Sequence, residues 1–190
     1  NVPSTTILLT LPTSGAAIYS LDWTTQNGDK IVGASYDGPA PNLRVWDAIT
    51  GQLTFGKGLG QLATASWNPT GAKLVIGNGL RIETVDIATS QNSLLSANSY
   101  ELSPVTSVAW SPDGSKIANA GVFGQVTFYN ALTGQFIAYS EPSRSLVRWI
   151  SWSNDSTRLA SASWDGTVRI WNAANGALIS TIQPNGGRAF

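Results

Sequence analysis

The chain has 190 residues, 42% of them hydrophobic, and its 11 basic and 11 acidic side chains cancel to a net charge of zero. That balance leaves no electrostatic footprint for nucleic acid or for an anionic membrane surface, and no run of 18 apolar residues is present to span a bilayer. With no Cys and no His there is no disulfide framework, no thiolate, no usual general base and none of the commonest metal ligand.

Charged residues make up 12% of the chain, about half the ordinary share. Small polar residues and Gly fill the gap. The sequence also lacks Met, so Asn1 is expected to follow a cleavage or to mark a cut edge. Low charge, no Cys and many small polar residues lean toward a place outside the cytoplasm.

In chain order, Thr6 to Leu11 (TILLTL) reads as an outer strand, occupying 5–11. The first repeat covers 16–56. Its strands are predicted at Ala17–Trp23, Lys30–Ala34, Leu43–Trp46 and Leu53–Phe55, with a long turn around Pro39 and Pro41. The Gly-rich stretch Gly56 to Gly60 has no following helix and no Lys-Ser/Thr ending, so it reads as a linker and not as a phosphate loop. The second repeat, 61–98, carries Leu62–Trp67, Lys73–Ile76, Leu80–Val85 and Leu94–Ala97, with a tight hairpin turn at Asn78-Gly79.

The third repeat, 104–140, is the most regular. Val105–Trp110 alternates in polarity, then Ser111-Pro112-Asp113-Gly114 turns the chain. Pro presets φ in that turn, Asp accepts local backbone bonds and Gly takes φ > 0. Lys116–Ala120, Val126–Tyr129 and Phe136–Tyr139 complete it. The fourth repeat, 146–183, has Leu146–Trp152, Arg158–Ser161, Thr167–Trp171 and Leu178–Ile182. Residues 187–190 align with Gly15–Ile18 and read as the start of another inner strand.

Trp23, Trp67, Trp110 and Trp152 end the first strand of each repeat, at intervals of 44, 43 and 42 residues. Each Trp taken alone reads as core packing. Jointly, their spacing reports four short strands per repeat and points to an all-β fold, a β-propeller of four-stranded antiparallel blades. A helical reading fails because apolar residues recur with period two and Gly or Pro interrupts every 8–12 residues.

The stretch from Ser161 to Asn172 (SASWDGTVRIWN) closely resembles the second-to-third strand hairpin of the WD-repeat family. Trp46-Asp47 is the dipeptide that names that family, and Val85-Asp86, Tyr129-Asn130 and Trp171-Asn172 are its equivalents. The resemblance covers essentially the whole chain and implies about four WD-type blades whose first strands line a central channel. WD-type blades resemble wedges cut for seven or eight. The chain is therefore read first as part of a larger seven- or eight-blade ring, second as half of a dimeric ring, third as a lone four-blade ring. Incomplete rings expose apolar faces and strand edges, so self-association or further blades are expected.

Family repeats often join a His, a second-strand Ser or Thr, a hairpin Asp and a third-strand Trp in a buried network. Without His that network is incomplete here. Asp37 and Asp165 hold the hairpin position and are assigned a structural role alongside the four Trp anchors.

The resemblance places protein or peptide partners on the ring face at the start of the inner strands. The corresponding positions are Ala17 and Tyr19, Gln61 and Ala63, Pro104 and Thr106, Leu146 and Arg148, then Tyr36, Phe123 and Trp164. Large aromatics and Arg at an exposed mouth are hot-spot material. Three residues before each anchor the chain has Ser20, Thr64, Ser107 and then Trp149. Trp149 either fills a gap against a neighbouring blade or faces the channel or a ligand. Tyr19, Tyr36, Phe123, Arg148, Trp149 and Trp164 are thus the candidate partner-binding residues.

No catalytic residues, no metal ligands and no cofactor are assigned. The leading function is a non-catalytic protein–protein interaction scaffold or sensor module. The alternatives are an accessory propeller of a multidomain enzyme, a hydrolase or a receptor kinase, and a structural subunit of a surface or envelope assembly. Fold analogy alone supports all three.

Overall fold

A computed structural model describes residues 9–13, 15, 17–24, 28–35, 41–97, 103–143 and 145–183, the side chains of 62, 63, 96 and 97 excepted. The described residues form sixteen strands in four sheets, without helix. The first sheet is β1 (Ser20–Trp23), β2 (Lys30–Ala34), β3 (Leu43–Asp47) and β4 (Leu53–Lys57). The second is β5 (Leu62–Trp67), β6 (Lys73–Asn78), β7 (Arg81–Asp86) and β8 (Asn92–Ala97). The third is β9 (Val105–Trp110), β10 (Lys116–Gly121), β11 (Val126–Asn130) and β12 (Phe136–Tyr139). The fourth is β13 (Val147–Trp152), β14 (Arg158–Ser163), β15 (Val168–Asn172) and β16 (Leu178–Ile182).

Each sheet is an antiparallel meander with strands in chain order. The first strands pack in series, β1 against β5, β5 against β9 and β9 against β13. These are four blades of a propeller, a partial ring. The register is the same at equivalent points of the four blades: Trp23 pairs with Ile31, Trp67 with Leu74, Trp110 with Ile117 and Trp152 with Leu159.

The turns follow local chemistry. The third strand of each blade ends at Asp47, Asp86, Asn130 or Asn172. The side-chain oxygen of that residue accepts an amide of the following turn, from Thr50 (2.7 Å), Thr89 (3.0 Å), Thr133 (2.9 Å) and Ala174 (2.8 Å). This capping explains why Asp and Asn alternate freely there: both supply the acceptor. At the Gly176 turn a Cβ would lie 2.2 Å from the Tyr139 carbonyl oxygen, so the fourth blade's last turn presses on the third blade's backbone.

The core lies between blades, because each sheet is apolar on both faces. Val32, Ala34, Leu43 and Val45 of the first blade meet Ala65, Trp67, Leu74 and Ile76 of the second. Val75 and Ile82 meet Val108, Ile117 and Tyr129. Ala118, Val126 and Phe128 meet Val147, Leu159 and Trp171. Full burial of side chains of this size stabilises by about 1.5–3 kcal/mol each.

The reading of each anchor Trp as core packing needs correction at Trp23. The four anchor indoles do not share an environment. Trp67 is 4% exposed, whereas Trp23 is 52% exposed. Trp67 faces the first blade, and Trp152 packs edge-on to Phe128 of the third blade. Trp23 occupies the same face of the first blade, where no preceding sheet lies among the described residues. Its indole N–H bonds the Gly28 carbonyl of its own hairpin instead.

β1 also begins at Ser20 and not at Ala17. Ser20 lies opposite Ala34, the last residue of its partner β2, and beyond it the Tyr19 amide donates to the Ala34 carbonyl at 2.9 Å. Residues 9–11 carry no strand pairing. The rest of the predicted outer strand, 5–8, and the predicted start of a following strand, 187–190, lie outside the described residues.

Candidate functional site

The four inner strands line one cavity of about 210 Å³, the side of the partial ring where a channel would run, with Ser20, Asp22, Thr64, Ser66 and Ser107 on its wall. Side chains at alternate positions of one blade cap the exposed edge of the next. The Ser20 hydroxyl accepts the Ala65 amide at 3.4 Å, Thr64 accepts Val108 at 3.3 Å and Ser107 accepts Ile150 at 3.3 Å. Two residues further along, the Asp22 carboxylate accepts the Trp67 amide at 2.7 Å and the Ser66 hydroxyl accepts Trp110 at 3.4 Å. An inner strand pairs on one side only, so its other edge holds amides that need acceptors. This ladder supplies them. Sequence reading saw small residues at these positions; the recurrence of Ser, Thr and Asp specifically was the signal of a bonding role.

Trp149 stands where the ladder would have its fourth hydroxyl. It is 47% exposed and lines a cavity of about 280 Å³ at the channel mouth, together with Arg148, Tyr19, Ser20, Pro104, Val105 and Thr106. The cavity therefore joins the first strand of the first blade to those of the third and fourth. Thr106 donates its hydroxyl proton within the scaffold, to the Val147 carbonyl at 2.5 Å or the Ala120 carbonyl at 3.1 Å. Tyr19 is 49% exposed, and Arg148 is exposed. No carboxylate lines this cavity among the described residues.

Of the candidate contact residues, Tyr19, Arg148 and Trp149 converge here. Phe123 and Trp164 do not line the cavity; both are exposed in second-to-third strand turns at the same end of the blades. The Phe123 amide donates to the Ser103 hydroxyl at 3.3 Å, and the Trp164 amide to the Leu146 carbonyl at 2.9 Å. Those acceptors stand just before β9 and β13, so both aromatics lie at the end of the blades where those strands begin. Tyr36 and Asp37 lie outside the described residues.

Asp165 takes part in its own turn. Its carboxylate accepts the Thr167 amide (3.0 Å) and hydroxyl (2.6 Å) and pairs with Arg169 at 2.7 Å. Partial burial pushes its carboxyl up. The Thr167 hydroxyl, the Arg169 guanidinium and the Thr167 amide outweigh that and hold it below the ordinary carboxylate value. The Trp171 indole N–H bonds the Ser161 hydroxyl at 2.8 Å, a second-strand-to-third-strand link that Asp165 does not join.

Among the described residues no group of three or more Asp or Glu side chains is placed to hold a metal ion. Among the described residues no helix is long and apolar enough to cross a membrane. A larger cavity, about 410 Å³, lies between the second and third blades and is lined by Lys73, Leu94, Trp110 and Leu132; it contains none of the candidate contact residues.

Two segments, 88–122 and 134–172, match the WD40 family, described as WD domain, G-beta repeat. Each runs from the outer strand of one blade into the first strands of the next. Comparison with curated proteins finds no match.

Proposed function

Because this chain carries WD repeats, we propose that it is a non-catalytic interaction platform that takes a protein partner at the channel mouth. WD repeats generally serve as protein–protein scaffolds. One observation supports the placement above all: Tyr19, Arg148 and Trp149, from blades at opposite ends of the chain, line one cavity. Phe123 and Trp164 extend that surface as exposed aromatic contacts. Half-exposed aromatics and Arg on rigid strands bury large areas on binding at low entropic cost.

The test uses the whole chain and peptides selected from a displayed random library. Tyr19→Ala, Arg148→Ala and Trp149→Ala each weaken the selected peptides by tenfold or more, with thermal unfolding preserved. Selected peptides that bind all three variants as well as the parent would place the partner elsewhere. Failure to select any peptide would count against the platform reading itself.

A further inference from the structure

The mouth cavity has a chemical bias beyond its shape. Among the described residues no hydrogen bond or ion pair engages the Arg148 guanidinium, the Trp149 indole N–H or the Tyr19 hydroxyl. The first two are donors only, and the third donates as readily as it accepts. The nearby hydroxyls are held in the scaffold: Ser20 accepts the Ala65 amide of the next blade, and Thr106 donates to scaffold carbonyls. The other two described arginines of this blade differ, since Arg158 and Arg169 each have an Asp partner.

Trp149 strengthens the point. A hydroxyl at its position would serve a further blade in the manner of Ser20, Thr64 and Ser107. An indole cannot accept an amide, so this residue does not continue the ladder and its ring is left lining the mouth. Donor-rich polar groups framed by two half-exposed rings match an acceptor-rich group with an apolar neighbour.

We propose that the cavity between Tyr19, Arg148 and Trp149 receives an Asp or Glu side chain of an acidic partner segment, with an adjacent apolar side chain against the two rings. This rests on the reading of the mouth as a protein-binding surface. A carboxylate suits the planar guanidinium, which can donate two parallel bonds to it. Charge complementarity also predicts salt-sensitive binding, because the site is open to solvent.

The experiment is a displayed heptapeptide library whose central position is restricted to Asp, Glu, Asn or Gln beside a fixed Phe, selected on the whole chain. Acids should be enriched over their amides by about tenfold or more, the scale of a hydrogen bond to a charged group. Arg148→Gln should abolish that preference and Arg148→Lys should retain part of it, each with unchanged thermal unfolding. Equal recovery of acids and amides, from peptides that still require Tyr19 and Trp149, overturns the carboxylate assignment and leaves the platform standing. Acid preference that survives Arg148→Gln also overturns it. An absence of any enriched peptide removes the platform reading and this proposal with it.

Discussion

The Ser107 hydroxyl accepts the amide of Ile150 across the junction of the third and fourth blades, at 3.3 Å. Both residues are buried. The bond belongs to a series, because Thr64 and Ser20 make the same contact one and two blades earlier. Neighbouring blades are thus joined by apolar packing and by side chains that satisfy backbone amides along the channel edge.

Ser107→Ala removes the acceptor and leaves the Ile150 amide buried without one. The expected cost is about 1–3 kcal/mol, read as a lower urea midpoint, with faster hydrogen exchange at Ile150. Ser107→Thr keeps the oxygen and should stay near the parent. An Ala variant as stable as the parent, with Ile150 exchange unchanged, would show that the ladder contributes nothing to blade cohesion.

The anchor tryptophans separate on position within the array. Trp67→Ala empties a site packed between two blades and should cost about 3–5 kcal/mol. Trp23→Ala removes a half-exposed ring from an end face and should cost no more than about 1 kcal/mol. Thermal unfolding of the two variants checks this ordering. Equal losses would mean that Trp23 is covered in solution by something equivalent to a preceding blade.

How much of this was legible in the sequence follows from the range of the interactions. Leu62–Trp67, Val105–Trp110, Phe136–Tyr139 and Leu178–Ile182 have the predicted bounds, since alternation and turn residues act within a few positions. Several other strands run one or two residues longer than predicted, because pairing continues past the last apolar residue, as at Gly77 and Asn78 of β6.

The environments of the anchors were not legible. Periodicity states that Trp23 and Trp67 are equivalent in the repeat; only the order of blades states that one has a neighbour and the other does not. The mouth cavity was half legible. The resemblance placed Tyr19 and Arg148 on one face, but nothing local brings a first-blade Tyr and a fourth-blade Arg into one cavity. The ladder was missed because each bond spans some 40 residues (Ser107 to Ile150 is 43), and a small polar residue in a strand carries no local mark of its partner.

Acid sensitivity follows from two turn carboxylates. Burial pushes the Asp113 carboxyl up, but bonds from the Ser111 hydroxyl, the Ser115 amide and the Ser115 hydroxyl, helped by Lys116, outweigh it. The result is a fall from 3.8 to about 2. At Asp155 the Ser153 hydroxyl acts most strongly, then the Thr157 amide and hydroxyl, with Arg158 adding to them, again to about 2. Both groups bind protons more weakly folded than unfolded. Their stabilising contribution is therefore complete above the unfolded value of 3.8 and is lost as pH falls through about 2. Urea midpoints measured from pH 7 to pH 2 should hold down to about pH 4 and then decline. The double variant Asp113→Asn, Asp155→Asn keeps one acceptor oxygen at each turn but no charge, so it should be less stable at neutral pH and decline less steeply. The slope becomes shallower without vanishing, because Asp47, Asp86 and Asp165 are also held below the ordinary value. A double variant whose midpoint falls as steeply as the parent's would show that the acid transition arises from other groups.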